Sequence, residues 1–405
     1  MTRNPLPSSQ NDVSRSAWQA LLHLTGPSPQ VPAQDFDWEW VIDLALRHKS
    51  VLLLARGIAA LPSVSAPETA RRRLAELSTT RALQCLMLAR DTALVASHLR
   101  DAGVSASVMK GAPLSQVLHG DAAARDPGDV DFLVPADQVD QAASVLESRG
   151  FYSEFRGLLR SDRQRERVLR GTNQLAFFDP QSGRAVELHW RWQKFEGMMP
   201  TDAEKIWSRS IPIAGAGEVL VPDGIETFIY LCAHGLAHGW MRLKWLNDIR
   251  WVLHTGRLVD EDWVCVVDRA RELGMSTAVG TAVLVAARID DAQLPDPLDA
   301  LIRRLPKCRD LSEQSIQWML KTAILREDPP PPRGALAIAR GIMRHMDISI
   351  EDQPRALSTR MRALLAPSLP ELALVDLPRG LEAGYLFVRA ARMLGRMLPA
   401  TTDRR

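Results

Sequence analysis

The sequence is poor in the features that would place it in several large classes of protein. Among its 405 residues there are four cysteines, Cys85, Cys232, Cys265 and Cys308. They stand far apart, without the close pairing that metal knuckles or disulfide scaffolds need, and read as buried thiols in a reducing compartment. No run approaches the ~18 to 20 apolar residues that span a bilayer. The opening MTRNPLPSSQNDVSRS is polar and lacks the apolar stretch of a signal peptide. Cytoplasm is the expected location. Charge of one sign is missing too: 50 Lys and Arg stand against 48 Asp and Glu, and a net of +2 gives no strong nucleic-acid signal for the whole chain. No internal repeat of fixed period occurs.

What is there is the balance of a soluble globular protein able to bury a core, with 46% apolar and 24% charged residues. The length suits two or three packed units, since domains usually hold roughly 100 to 200 residues. Residues 1–103 read as an N-terminal helical region: SAWQALLHL, then WEWVIDLALRHKSVLLLARGIAAL, then a long helix stopped at Gly103. Residues 104–222 change character. VSASVMKG is followed by a helix, and strands are expected at 129–134, 150–155, 174–179, 185–190 and 218–222, with the helix PADQVDQAASVLESRG between the first two. GAG at 215–217 reads as a hairpin turn, not a dinucleotide fingerprint. Residues 223–328 are helical again, a domain covering a cleft in the sheet. Residues 329–405 are a Pro-rich linker and a basic helical tail, with twelve Arg against seven acidic residues from 331 onward. The fold class expected is α+β, a small mixed β-sheet core flanked by helical regions.

The chemistry concentrates in RDPGDVDFLV at 125–134. The two-residue period of a strand puts Asp129 and Asp131 on one face and Val130 and Phe132 on the other. Two carboxylates so placed repel unless a cation lies between them, and Mg²⁺ takes oxygen ligands while keeping room for phosphate. An Asp-x-Asp by itself is as often an exposed strand pattern as a site, so its surroundings matter. Upstream, Lys110 and Gly111 sit where a strand ends and a helix begins, a position suited to cradling phosphate. Arg125 can neutralise the same charge. Downstream, VELHW places Glu187 and His189 on one face of another strand, which brings the acids to three, the number two-metal chemistry uses.

In order and spacing these pieces resemble the polymerase-β-type nucleotidyltransferase superfamily, and most closely an uncharacterised bacterial nucleotidyltransferase family with K-G, R-x(3)-D-x-D and E-L-H-W segments. The resemblance runs from about Val104 to Leu253. A Lys110–Gly111 pair replaces the Gly-Ser that the wider superfamily has ahead of its acidic strand. The resemblance implies that Asp129 and Asp131 hold a nucleotide-bound Mg²⁺ or Mn²⁺, that Glu187 completes a second metal site, and that Lys110, Gly111, Arg125, His189, Arg242 and Lys244 contact the nucleotide. The implied reaction moves a nucleoside monophosphate from an NTP, ATP favoured, to a hydroxyl or phosphate of a peptide, protein, sugar or small-molecule acceptor, with pyrophosphate release. Loss of one metal-holding carboxylate predicts that Asp129→Asn or Asp131→Asn abolishes turnover, and relief of the repelling pair predicts that stability is unchanged or higher.

Two other classes remain open on the sequence. One is a catalytically silent nucleotidyltransferase fold used for binding or regulation, against which the intact acids weigh. The other is a zinc hydrolase on His189, His234 and His238, since His234 and His238 share a helical face, although HGLAH lacks the general-base Glu of such motifs. Lys244 and Asp248 form an i,i+4 pair that reads equally as a surface contact. Most of the eleven tryptophans are core anchors; Trp190 and Trp240 lie near enough to the acidic strand to be weighed as base-stacking residues. In the last helix Arg389, Arg392 and Arg396 share a face, which suits packing on the body better than a membrane surface.

Overall fold

Apolar residues at helical spacing build α1 (Ser8–Leu24), α2 (Trp38–Arg47), α3 (Val51–Ala60) and α4 (Glu68–Asp101). The chain is described here from a computed structural model, over residues 8–32, 35–61, 66–126, 128–193, 199, 201–213, 219–255, 258, 260–324 and 366–395. The segment expected as one helix from Trp38 onward is two. It breaks because Lys49 adopts a left-handed φ of 52°, while Ser50 N–H donates to Ala45 O and Lys49 N–H to Leu46 O. This is a Schellman ending with lysine where glycine is the usual residue, so the sequence carries no stop signal there. The turn lets Leu52 N–H donate to Asp126 Oδ2 at 3.0 Å, fixing the N-terminus of α3 against the acidic loop.

The central part supplies β1 (Ser107–Val108), α5 (Ala112–His119), β2 (Val130–Leu133), α6 (Val139–Ser148), α7 (Asp162–Gly171), β3 (Gln174–Phe178), β4 (Ala185–His189) and α8 (Ala203–Ser208). The sheet order is β1-β2-β4-β3, with β1 antiparallel to β2, β2 parallel to β4, and β3 antiparallel to β4. A second, two-stranded sheet pairs β5 (Ile211–Pro212) with β6 (Leu220–Val221). The GAG turn of 215–217 lies outside the described residues. The strand expected at 150–155 is reduced to one bridge, Tyr152 with Phe178, and the chain instead turns into a short 3₁₀ helix at Arg156–Leu159.

Beyond the sheets come α9 (Gly224–Ala237), α10 (Leu243–His254), α11 (Asp260–Glu272), α12 (Ser276–Asp290), α13 (Asp296–Arg304) and α14 (Lys307–Ile324). The fold is α+β. Residues of α1–α3 and α9–α14 bury one common apolar cluster, including Leu21, Ile42, Leu54, Leu236, Leu246 and Val279. Leu133 of β2 belongs to it as well. A second cluster joins Val130, Phe132, Leu175, Phe177 and Leu188 to the end of α4 and to α6. The pleat thus divides β2 cleanly: even-numbered residues face α6, and Asp131 and Leu133 face the helices that follow the sheet.

Two helices of the tail are described, α15 (Leu369–Leu374) and α16 (Tyr385–Gly395). Fully buried Glu371 accepts from Arg389 at 3.0 Å and from Arg392 at 2.9 Å, and these bonds outweigh its burial, holding its carboxyl down at about 2. Two of the three arginines of the basic face are therefore engaged with the tail itself. Arg396 and the Pro329–Pro332 tract lie outside the described residues. No described helix is long and apolar enough to cross a membrane.

Candidate active site

Parallel pairing of β2 with β4 sets Asp131 opposite Glu187. Both carboxylates consequently leave the sheet on the same face, on neighbouring strands, and His189 follows Glu187 on that face by the strand period. His189 Nε2 lies 3.1 Å from Asp131 Oδ1 and 3.2 Å from Glu187 Oε2. Lys110, two residues past the end of β1, brings its Nζ to 3.2 Å from the same Asp131 Oδ1. Asp131 is fully buried, whereas the Glu187 side chain is 21% exposed and is the acid that solvent reaches.

Charge at this spot is tightly balanced. Burial works to raise the Asp131 pKa, but Lys110 and His189 hold it well below the usual carboxylate range. Burial equally disfavours the Lys110 ammonium, yet Tyr230, Asp131 and Glu187 keep it charged. His189 shows the same contest: burial lowers its pKa and hydrogen bonds to the two acids raise it to a net gain. The far ring nitrogen, Nδ1, lies 3.5 Å from Asn173 Nδ2. On α9, burial pushes the Tyr230 hydroxyl up to about 12, and burial with nearby Lys110 pushes His234 well below its ordinary value, so it is neutral.

The donor set fits a divalent cation. Ligand atoms of Asp131, Glu187 and His189 all lie within 4.8 Å of one another. Asp131 Oδ2 is buried without a hydrogen-bond partner, a costly state for a carboxylate oxygen unless a cation completes it. Asp129 stands one residue ahead of β2, exposed, and outside that converging group.

Gly111 shapes the loop between β1 and α5. Its φ of 86° with ψ of −148° is a conformation essentially reserved for glycine, and an added Cβ would sit 3.3 Å from Asp129 O. Gly111→Ala is expected to destabilise the fold by ~1–3 kcal/mol and to disturb Lys110 and Asp129 together. Denaturant unfolding checks this; an unchanged midpoint would show that the loop does not need this backbone.

Arg125 is buried and committed. Its Nε and Nη2 donate to Asp248 Oδ1 and Oδ2 at 2.7 and 2.8 Å, and its N–H donates to Ser115 Oγ at 3.0 Å. It ties the acidic loop to α10 and α5. The expected pairing of Lys244 with Asp248 is absent, because Asp248 spends both oxygens on Arg125; both residues are buried, so neither forms a surface contact. Lys244 instead lies beside the loop, where a Cβ on Gly128 would come within 3.1 Å of its Nζ. Arg242 caps α10 and donates to Arg47 O at 2.8 Å.

His234 and His238 stand with ring centroids 4.6 Å apart, His238 stacking on Trp245. Among the described residues the converging ligand group includes His189 and neither of these, so the three histidines do not form a zinc site. Trp190 is buried and donates to Leu169 O, and Trp240 is fully buried against Gly235; both are core anchors. Tyr230 and Asn173 were not singled out from sequence, and Asp248 was read only as a partner of Lys244. Only Tyr230 carried a signal, its position four residues before His234 on the same helical face.

The model of a family described as "Uncharacterised nucleotidyltransferase" matches residues 34–289, a span that contains every residue of this site. No curated protein and no solved structure matches the chain.

Proposed function

The chain belongs to the uncharacterised nucleotidyltransferase family, and on that premise we propose that it moves a nucleoside monophosphate from an NTP, ATP favoured, to a hydroxyl or phosphate of an acceptor. A peptide or protein, a sugar and a small molecule are the acceptor classes. In this reaction the acceptor oxygen bonds to the α-phosphorus, the bond from that phosphorus to the β-phosphate bridge breaks, and pyrophosphate leaves with its electrons.

The observation that carries the reading is the register of Asp131 with Glu187 together with the orphaned Asp131 Oδ2. Asp131 and Glu187 would hold Mg²⁺ or Mn²⁺, with Asp129 joining from the mouth of the strand. A divalent cation there draws charge from phosphoryl oxygens and lowers the pKa of an attacking hydroxyl. Lys110 adds a fixed positive charge beside the same carboxylate, suited to oxygens of the transferred phosphate. His189 orients both acids through its Nε2, and Gly111 lets the backbone approach the nucleotide closely. Arg125 acts at one remove, holding the acidic loop in place through Asp248.

The test is incubation of the protein with each α-labelled NTP in Mg²⁺ or Mn²⁺, with peptide, sugar and metabolite pools as acceptors. Label should appear on one acceptor class, and the Asp131→Asn protein should leave it bare. Equal labelling by that variant would end the assignment. NTP binding without transfer to any pool, seen as a raised melting temperature, would favour the silent binding module.

A further inference from the structure

A row of rings on α9 is left over by the transfer step. Tyr230, His234 and His238 follow one another at four-residue spacing, so they line one face of that helix up to its C-cap. Tyr230 is the inner end of the row: its ring lies 4.5 Å from that of Trp192, three residues beyond β4, and its hydroxyl lies against Lys110. His234 comes next, its ring 5.5 Å from Tyr230 and 4.6 Å from His238. The outer end is open. His238 is exposed, and half-buried Trp245, in the first turn of α10, stacks on it at 4.8 Å and meets His234 edge-on at 5.5 Å. Two turns of helix, about 12 Å, thus carry the row from the acids and Lys110 out to an accessible pair of rings.

The polar edges of this cluster are unspent. Among the described residues neither ring nitrogen of His234 has a hydrogen-bond partner, nor has Trp245 Nε1, and none of these atoms is sealed from solvent. His234 is neutral, as noted above, so its imidazole offers one N–H and one lone pair. The turn that presents the rings is strained: Gly239 and Trp240 are both left-handed, with φ of 58° and 54°, a conformation foreign to so bulky a residue as tryptophan. Trp240 is held in it by a notch on α9, where a Cβ on Gly235 would fall 2.1 Å from its ring. Such strain persists only where the surroundings enforce it, and it gathers at ligand sites.

We propose that His238 and Trp245 stack the base of the donor nucleotide, and that His234 hydrogen-bonds to the base edge or the ribose, making this end of α9 and α10 the nucleoside subsite of the cleft. A nucleobase has an apolar face and a hydrogen-bonding rim, the two surfaces that these rings can meet. The ring pair lies two helical turns from Lys110, so sugar and base can extend outward from a phosphate held beside the acids. The subsite stands on its own geometry; calling its occupant the donor rests on the nucleotidyl-transfer reading.

The experiment is titration of the full chain in EDTA with adenosine, guanosine, cytidine and uridine, and with ribose 5-phosphate as the control without a base, followed by calorimetry. At least one nucleoside should bind more tightly than ribose 5-phosphate. His238→Ala, a change at an exposed position, should weaken that binding about tenfold, the size that ring-on-base stacking commonly carries. Trp245→Leu should do the same, and Trp245→Phe, which keeps a ring, should restore it. His234→Phe, which keeps a ring and removes both nitrogens, should lose severalfold. Asp131→Asn should still bind, which separates the subsite from the acids. No binding by any of the four nucleosides, equal binding of ribose 5-phosphate, or wild-type affinity in both His238→Ala and His234→Phe would overturn the proposal. Nucleoside binding without transfer to any acceptor would remove the transfer reading and leave the subsite standing; transfer with an unchanged KM for NTP in His238→Ala would do the reverse.

Discussion

Asp131→Asn is expected to lower kcat/KM for nucleotidyl transfer by about a thousandfold or more, since preorganised charge at a transferring phosphoryl group commonly carries an effect of that size. The same variant should also be less stable, contrary to what two repelling acids would predict. The carboxylate of Asp131 is already neutralised: Lys110 Nζ stands 3.2 Å and His189 Nε2 3.1 Å from its Oδ1. Removing its charge leaves Lys110, 16% exposed, with only Glu187 to answer it, and an uncompensated, largely buried cation costs ~1–3 kcal/mol or more. The sign follows from linkage as well. A carboxyl held below its ordinary range adds stability above the unfolded pKa of ~4, and that stability is lost only as pH falls through the lower folded value. At neutral pH the full contribution is present, and Asn forfeits it. Urea unfolding at pH 7 of Asp131→Asn and of Asp131→Asn with Lys110→Met measures both parts: the second change should recover part of the first loss. A single variant that is fully active, or more stable than wild type, would contradict the balance of charge described here.

The parts of this arrangement that were legible in the sequence are those governed by local period. Spacing alone put Val130 and Phe132 on the core face and Asp131 on the other, and put Glu187 beside His189. It could not say that β2 and β4 are parallel neighbours in register, because β3 and the residues before it intervene, and that pairing is what makes Asp131 and Glu187 one site. Nor does period fix where a strand begins. Asp129 shares the parity of Asp131 but precedes the first paired residue, Val130, and stays exposed. The break at Lys49 was hidden because its left-handed turn lacks glycine. Lys244 and Asp248 show the limit most clearly: four residues apart on one helix they read as partners, yet Asp248 is claimed by Arg125, 123 residues away. A buried guanidinium demands two carboxylate oxygens in a fixed fork, and no local pattern announces which distant acid will supply them.

That long-range pair yields the second large effect. Arg125 and Asp248 are 3% and 2% exposed, and removing one partner of so buried a pair typically costs ~3–5 kcal/mol. The two single variants should not be equal. Arg125→Met leaves Asp248 close to Lys244, whose ammonium it already helps to stabilise, so a substitute partner is at hand. Asp248→Leu removes the carboxylate that faces both Arg125 and Lys244, and strands two buried cations. Asp248→Leu is therefore expected to be the more damaging, and the double variant to be less destabilised than the sum of the singles by ~1–3 kcal/mol of coupling. Arg125 also anchors the loop that leads into β2, through its N–H on Ser115 Oγ and its O accepting from Cys85 Sγ. Arg125→Met keeps those backbone bonds but cuts the loop's side-chain tie to α10, and should therefore lower kcat as well as stability. Additive losses in denaturant unfolding would mean that Arg125 and Asp248 do not depend on each other, and the acidic loop would need another explanation for its place against α10; equal losses from the two singles would mean that Lys244 gives Asp248 no substitute partner.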